Sequence, residues 1–243
     1  MKYTLIAVAV LAAASLSCYA QDIDAPKSNA SSFYILGGYN NAGITTPNNS
    51  LVESAQHINT FNTGVLADIR LSDRLSLMTG LMICGNGAKT SSTRTFADST
   101  TIQQDDKFNP IFLQVPLMLA YKVPIREDIW FYLSAGPYVA RGIAGKSEGE
   151  ITVNGKTTTT KKKKIKFDDT PTRTPRSDDG LLFSQVDQIY YGINGQVGVQ
   201  FNKVMIGLNY AHALTEIANV APVAAQKNTN RYTTLSLTFG LKL

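Results

Sequence analysis

The chain has 243 residues and a formal net charge of +5, or +4 without Lys2. Its basic residues do not form a long arm, so the charge makes no case for a nucleic-acid partner. The length suits one domain or one closed barrel, and past residue 20 no run of 18 apolar residues occurs, which excludes a helical membrane protein.

Residues 1–20 have the plan of an export leader. Lys2 supplies the positive end, Leu5 to Leu16 the apolar stretch, and Cys18-Tyr19-Ala20 the small-residue cleavage site, giving a start near Gln21 and a body over 21–243. Cys18 opens a rival reading, an acylated lipoprotein. That signal asks for leucine three residues upstream, where Ser15 stands. If Cys18 leaves with the leader, Cys84 is the sole cysteine, and an internal disulfide is impossible.

Period-two alternation then predicts strands over 32–39, 60–71 and 75–85, with a tight turn at Ser72-Asp73-Arg74. The stretch 109–140 is the longest such signal. Ile111, Leu113, Val115, Leu117, Leu119 and Tyr121 share one parity; after a turn at 124–128, Ile129, Phe131, Leu133, Ala135 and Val139 do the same. Each arm is about twice the roughly 5 or 6 residues usual in soluble proteins, and long enough to cross a bilayer, which takes about 9–11. Further strands are expected over 187–201, 204–213 and 231–243, with a two-residue turn at Asn202-Lys203.

Eight strands whose connections alternate long and short are the plan of an all-β, antiparallel, up-and-down transmembrane barrel. The long connections, about 40–59, 86–107, 142–186 and 214–230, belong at the outer rim and the tight turns at the other. Asn154-Gly155 predicts a two-stranded ribbon inside the third connection. Alternation alone leaves a soluble ligand-binding barrel as an alternative. Residue size separates the two: one parity holds Gly64, Gly80, Gly136, Gly192, Gly198, Gly207 and Gly240 with Ser, Gln and Asn, which fit the narrow interior of eight strands. The aliphatic parity then faces lipid. Phe61, Tyr191, Tyr210 and Tyr232 near the loop ends, and Tyr121, Phe131, Phe201 and Phe239 near the turn ends, would form two aromatic girdles. Asp68, Arg70, Gln114, Lys122, Asn194, Gln196 and Asn209 become polar lumen residues, tolerable only if paired or hydrated.

Segments 67–82 (ADIRLSDRLSLMTGLM), 112–123 (FLQVPLMLAYKV, with its Leu113-Gln114-Val115-Pro116 step), 131–140 (FYLSAGPYVA) and 190–201 (YYGINGQVGVQF) leading into 206–217 resemble, in order and spacing, the small outer-membrane β-barrel proteins of the Bacteroidetes type, sometimes called PorT-like. The resemblance implies a closed outer-membrane barrel with no catalytic residues to carry over; some relatives serve secretion.

The residues themselves point the same way. His57 and His212 lie in different segments, and no patterned Ser, Asp or Cys accompanies them, so catalysis, metal and cofactor are not expected. Lys161, Lys162, Lys163, Lys164 and Lys166 form the clearest charged run, either a solvated loop or a contact for lipopolysaccharide phosphates or an acidic surface protein. Asp98-Ser99-Thr100 resembles an O-glycosylation acceptor at Ser99. The expectation is a monomeric scaffold in outer-membrane lipid that displays surface loops, with a narrow porin-like channel or a secretion-associated barrel as alternatives.

Overall fold

The computed structural model describes residues 31–46, 52, 54–95, 100–168, 183, 185–217 and 230–243. The expected leader, Cys18 and Ser99 lie outside them. Among the described residues the chain forms β1 (Ser32–Ile44), β2 (Ser54–Gln56), β3 (Ile58–Arg70), β4 (Leu75–Gly85), β5 (Ala88–Thr95), β6 (Thr101–Arg126) and β7 (Ile129–Val153). It continues with β8 (Lys156–Lys164), β9 (Lys166–Phe167), β10 (Gln185–Val186), β11 (Ile189–Phe201), β12 (Val204–Ala213) and β13 (Tyr232–Lys242).

Eight of these strands close a ring in the order β1, β3, β4, β6, β7, β11, β12, β13, each antiparallel to its neighbours. The ring is sealed by the two ends of the barrel sequence, with Tyr34 opposite Lys242 and Ile44 opposite Tyr232. Closure leaves no unpaired edge within the wall, the condition for crossing hydrocarbon with strands. The turns are tight at one rim. Asn202 takes the left-handed conformation (φ 33°) in its two-residue turn, and β6 runs on through Pro124 to Arg126, so the turn expected over 124–128 contracts to Glu127-Asp128.

Orientation follows the residue-size argument. The large exposed side chains are the expected aliphatic rows, among them Leu117 and Leu119 of β6, Leu133 of β7, Ile193 of β11, Leu208 of β12 and Leu237 of β13. Tyr39, Phe61, Tyr191 and Tyr210 are exposed toward one end, and Phe33, Tyr121, Phe131, Phe201 and Phe239 toward the other. Tyr232 corrects the expected girdle: it shares the inward parity of Thr234 and is only 3% exposed.

Small residues let neighbouring strands approach closely. A Cβ placed on Gly136 of β7 would lie 2.0 Å from the Leu117 carbonyl oxygen and 2.8 Å from Met118 Cα, both on the backbone of β6. Gly136→Val is therefore expected to cost about 1–3 kcal/mol by overpacking, read by urea unfolding of the refolded barrel; a change below about 0.5 kcal/mol, the range of an ordinary surface substitution, would show that these strands do not approach so closely. The interior is not uniformly small and polar, however. Tyr34, Leu36, Leu66, Met78, Met118, Tyr132 and Met205 form a buried cluster toward the turn rim, and a larger aromatic cluster lies toward the other rim.

β6 and β7 have 26 and 25 residues, well beyond a span. A bulge between Ile111 and Phe112, opposite Gly142 and Ala144, marks where they leave the barrel. Beyond it they pair with β5 and β8, and β2 pairs with β5, giving a projecting sheet in the order β2, β5, β6, β7, β8. Much of 86–107 and 142–164, expected as loop, is thus strand. The Asn154-Gly155 ribbon forms, with both residues in the left-handed region (φ 49° and 77°), and it is the tip of this sheet.

Candidate functional site

Three arrangements could carry function: the lumen, its turn-side mouth, and the projecting sheet. At the loop-side end the lumen is filled. Phe112 meets Tyr190 edge-on at 4.7 Å between ring centroids and Tyr232 at 5.5 Å, while Phe108 meets Phe183 at 4.6 Å. Offset and edge-to-face geometries of this kind add about 0.5–1.5 kcal/mol per pair beyond the area buried. The Asn86 amide donates to the Tyr190 hydroxyl at 2.6 Å and accepts from the Thr234 hydroxyl at 2.9 Å, tying β11 and β13 across the interior. After β8 the chain turns back over the opening. Ile165 and Val186 are buried in the aromatic cluster, and Phe167 lies against Phe112 at 5.9 Å. Gly142 admits that ring, since a Cβ there would lie 2.0 Å from it.

Below this plug lies a cavity of about 60 Å³, lined by Asn40, Asn62, Gln114, Asn194, Gln196 and Asn209 among others. By the measure that a water needs about 10–15 Å³, it admits only a handful of waters. The side-chain oxygens of Asn62, Asn194 and Asn209 have no protein partner, so the cavity is polar enough to hydrate. Gln196 donates to the Tyr132 hydroxyl at 2.9 Å. Cys84 also lines this cavity and is a free thiol.

At the turn-side mouth Asp68 accepts from Lys122, an ion pair, and from Gln200 at 3.0 Å. Arg70 turns outward to Asp73 and to the Ser72 carbonyl. The sequence-expected lumen residues therefore split into a mouth group (Asp68, Arg70, Lys122) and a mid-barrel group (Gln114, Asn194, Gln196, Asn209).

The lysine run does not form one patch. Because Lys161 to Lys164 lie on strand β8, alternation sends Lys162 and Lys164 to the exposed face, while Lys161 and Lys163 are half-buried on the other face beside buried Ile165. Lys166 belongs to β9 and is exposed. The bulge in β7 shifts inward parity from Ala140 and Gly142 to Ser147 and Gly149, so Lys146, Glu148 and Glu150 face outward with Lys162 and Lys164. Lys162 pairs with Glu148 at 3.3 Å.

Of the two histidines, the His57 ring nitrogen Nδ1 bonds the Asn41 amide oxygen at 2.5 Å, and His212 lies on β12 between Ile193 and Thr233. Among the described residues no three His, Cys, Asp or Glu side chains are grouped to hold a metal. The plug was the part that sequence reasoning missed. Its signal was present: Phe108, Phe112, Tyr138, Tyr190 and Tyr232 are aromatics on inward parity, all near loop-side strand ends.

The family model for the outer membrane protein beta-barrel domain matches residues 19–219. No curated protein matches the chain. Among solved structures it is similar to Ail, the attachment invasion locus protein of Yersinia pestis, at 11% identity over 88% of this chain and 99% of that one, with a TM-score of 0.34. It is similar to Neisserial surface protein A at 14% identity, over 88% and 99% of the two chains, with a TM-score of 0.37. For the outer membrane protein OprG of Pseudomonas aeruginosa the values are 12%, 88%, 97% and 0.36.

Proposed function

The chain belongs to the outer membrane protein β-barrel domain family and resides in the bacterial outer membrane, and on that premise we propose that it is a non-catalytic surface scaffold whose barrel anchors the projecting sheet for contact outside the cell. The observation that carries this reading is the continuity of β6 and β7, each of which runs as a single strand from the barrel wall into the sheet and stays paired with the other on both sides of the bulge at the junction. A continuous ladder holds the outer strands in a fixed pose, which a display element needs and a diffusion pathway does not. The plug supports the same reading against a narrow porin-like channel. The PorT-like placement, the leader over 1–20, a glycan at Ser99 and the monomeric state belong to this proposal as well, supported by the sequence segments that suggest them.

Purified protein in planar bilayers is expected to be electrically silent, and an epitope inserted between Asn154 and Gly155 is expected to be labelled on intact cells. Discrete current steps from the unaltered protein would replace the scaffold with a channel. Phe112→Ala with Tyr190→Ala, which removes two plug rings, is expected to produce openings where the parent has none.

A further inference from the structure

On β6 the outward apolar row runs from Val123 to Ile111, and on β7 from Phe131 to Ile143, broken near its outer end by the exposed Arg141 opposite Leu113. At about 3.4 Å per residue and a tilt of about 45°, those strands cover about 29 Å of depth, the thickness of a bilayer's hydrocarbon. The next outward row is Asn109, Lys146 and Lys164, whose two lysines are direct cross-strand partners. One row farther, Lys89, Lys107, Glu148 and Lys162 align across β5, β6, β7 and β8. The row beyond carries Ser91, Asp105 and Glu150. Charge is thus layered by height, positive at headgroup level and negative farther out.

Lys162 has its Glu148 partner, but Lys89, Lys107, Lys146 and Lys164 are exposed and have no ion pair among the described residues. Like charges set directly opposite on neighbouring strands destabilise a sheet, so an anion at Lys146 and Lys164 would relieve a repulsion built into the fold. A groove of about 480 Å³ higher on this face is lined by Lys89, Lys107 and Lys162 together with Asp105, Asp106, Glu148 and Glu150, so acids outnumber bases there and the anion's place is below it, at Lys146 and Lys164.

We propose that this face binds the phosphate groups of outer-leaflet lipopolysaccharide, with Lys146 and Lys164 as the first contacts and Lys107 and Lys89 behind them; the proposal rests on the reading of the barrel as a surface scaffold. The site spans four strands in two adjacent rows rather than following the lysine run, and the Asp105 and Glu150 row repels the anion from the outer half of the sheet.

The test uses the full chain folded in detergent and titrated with phosphorylated or dephosphorylated lipid A. Phosphorylated lipid A is expected to bind more tightly, and Lys146→Gln with Lys164→Gln to weaken it about tenfold or more. Lys203→Gln with Lys242→Gln, the same charge loss at the opposite rim, is expected to leave it unchanged. Equal binding of the two lipids, equal loss in the two variants, or full displacement by inorganic phosphate at a concentration equal to the lipid would overturn the proposal. Bilayer currents and heat-modifiable gel mobility on the same samples report the scaffold separately. A conducting barrel that keeps the phosphate preference defeats only the scaffold reading, and a silent one without the preference defeats only this one.

Discussion

Leu237→Arg is expected to destabilise the barrel by about 2–4 kcal/mol when the protein is folded in lipid vesicles. Leu237 is the middle residue of β13, stands opposite Leu208 of β12 and Tyr39 of β1, and is 41% exposed. On a water-facing surface a substitution at such exposure costs within about 0.5 kcal/mol, because the guanidinium stays hydrated. In hydrocarbon the same group must snorkel or draw water into the bilayer. Guanidinium unfolding in vesicles, with Leu241→Arg near the rim as the companion at about 0–1 kcal/mol, separates the cases. Equal and small effects at both positions would show that this face does not contact lipid.

Asp68→Leu is expected to cost about 3 kcal/mol. Asp68 is 4% exposed, pairs with Lys122 and accepts from Gln200; removing it strands a cation with a side-chain exposure of only 17%. Breaking a buried pair costs about 3–5 kcal/mol, and partial hydration of Lys122 at the mouth places the loss at the lower end. Lys122→Met in the same chain is expected to restore most of it, since the penalty comes from the orphaned charge rather than from the absent attraction. A double-mutant cycle read by guanidinium unfolding isolates the pair. A single-variant cost under about 1 kcal/mol, the value of an exposed pair, would show that the mouth is open to water.

The two experiments address opposite faces of one wall. Leu237 reports what surrounds the barrel, and Asp68 what the wall encloses. Between the two rims the structure commits its volume to side chains, so the projecting sheet is where the molecule is free to meet something else.

The ring itself was legible from the chain. Hydrocarbon outside and a narrow interior impose opposite demands on alternate residues, so Leu235, Leu237, Phe239 and Leu241 against Thr234, Ser236, Thr238 and Gly240 announce a strand and its two faces together. The turns at Asn202-Lys203 and Asn154-Gly155 were equally readable, because left-handed backbone restricts which residues serve. The projecting sheet was not: in 88–95 and 101–108 both faces can tolerate polar residues, and without a greasy side the period-two signal is lost although the backbone ladder continues. Tertiary structure alone also decided the direction of each lysine. One bulge residue inserted near Ile143 exchanges the faces of β7, and with them the neighbours of Lys161 to Lys164. Local sequence determined the eight barrel strands and which side of them meets lipid; the register among β5, β6, β7 and β8 determined which charges stand together, because that register is set by pairing between separate segments and not by the residues of any one of them.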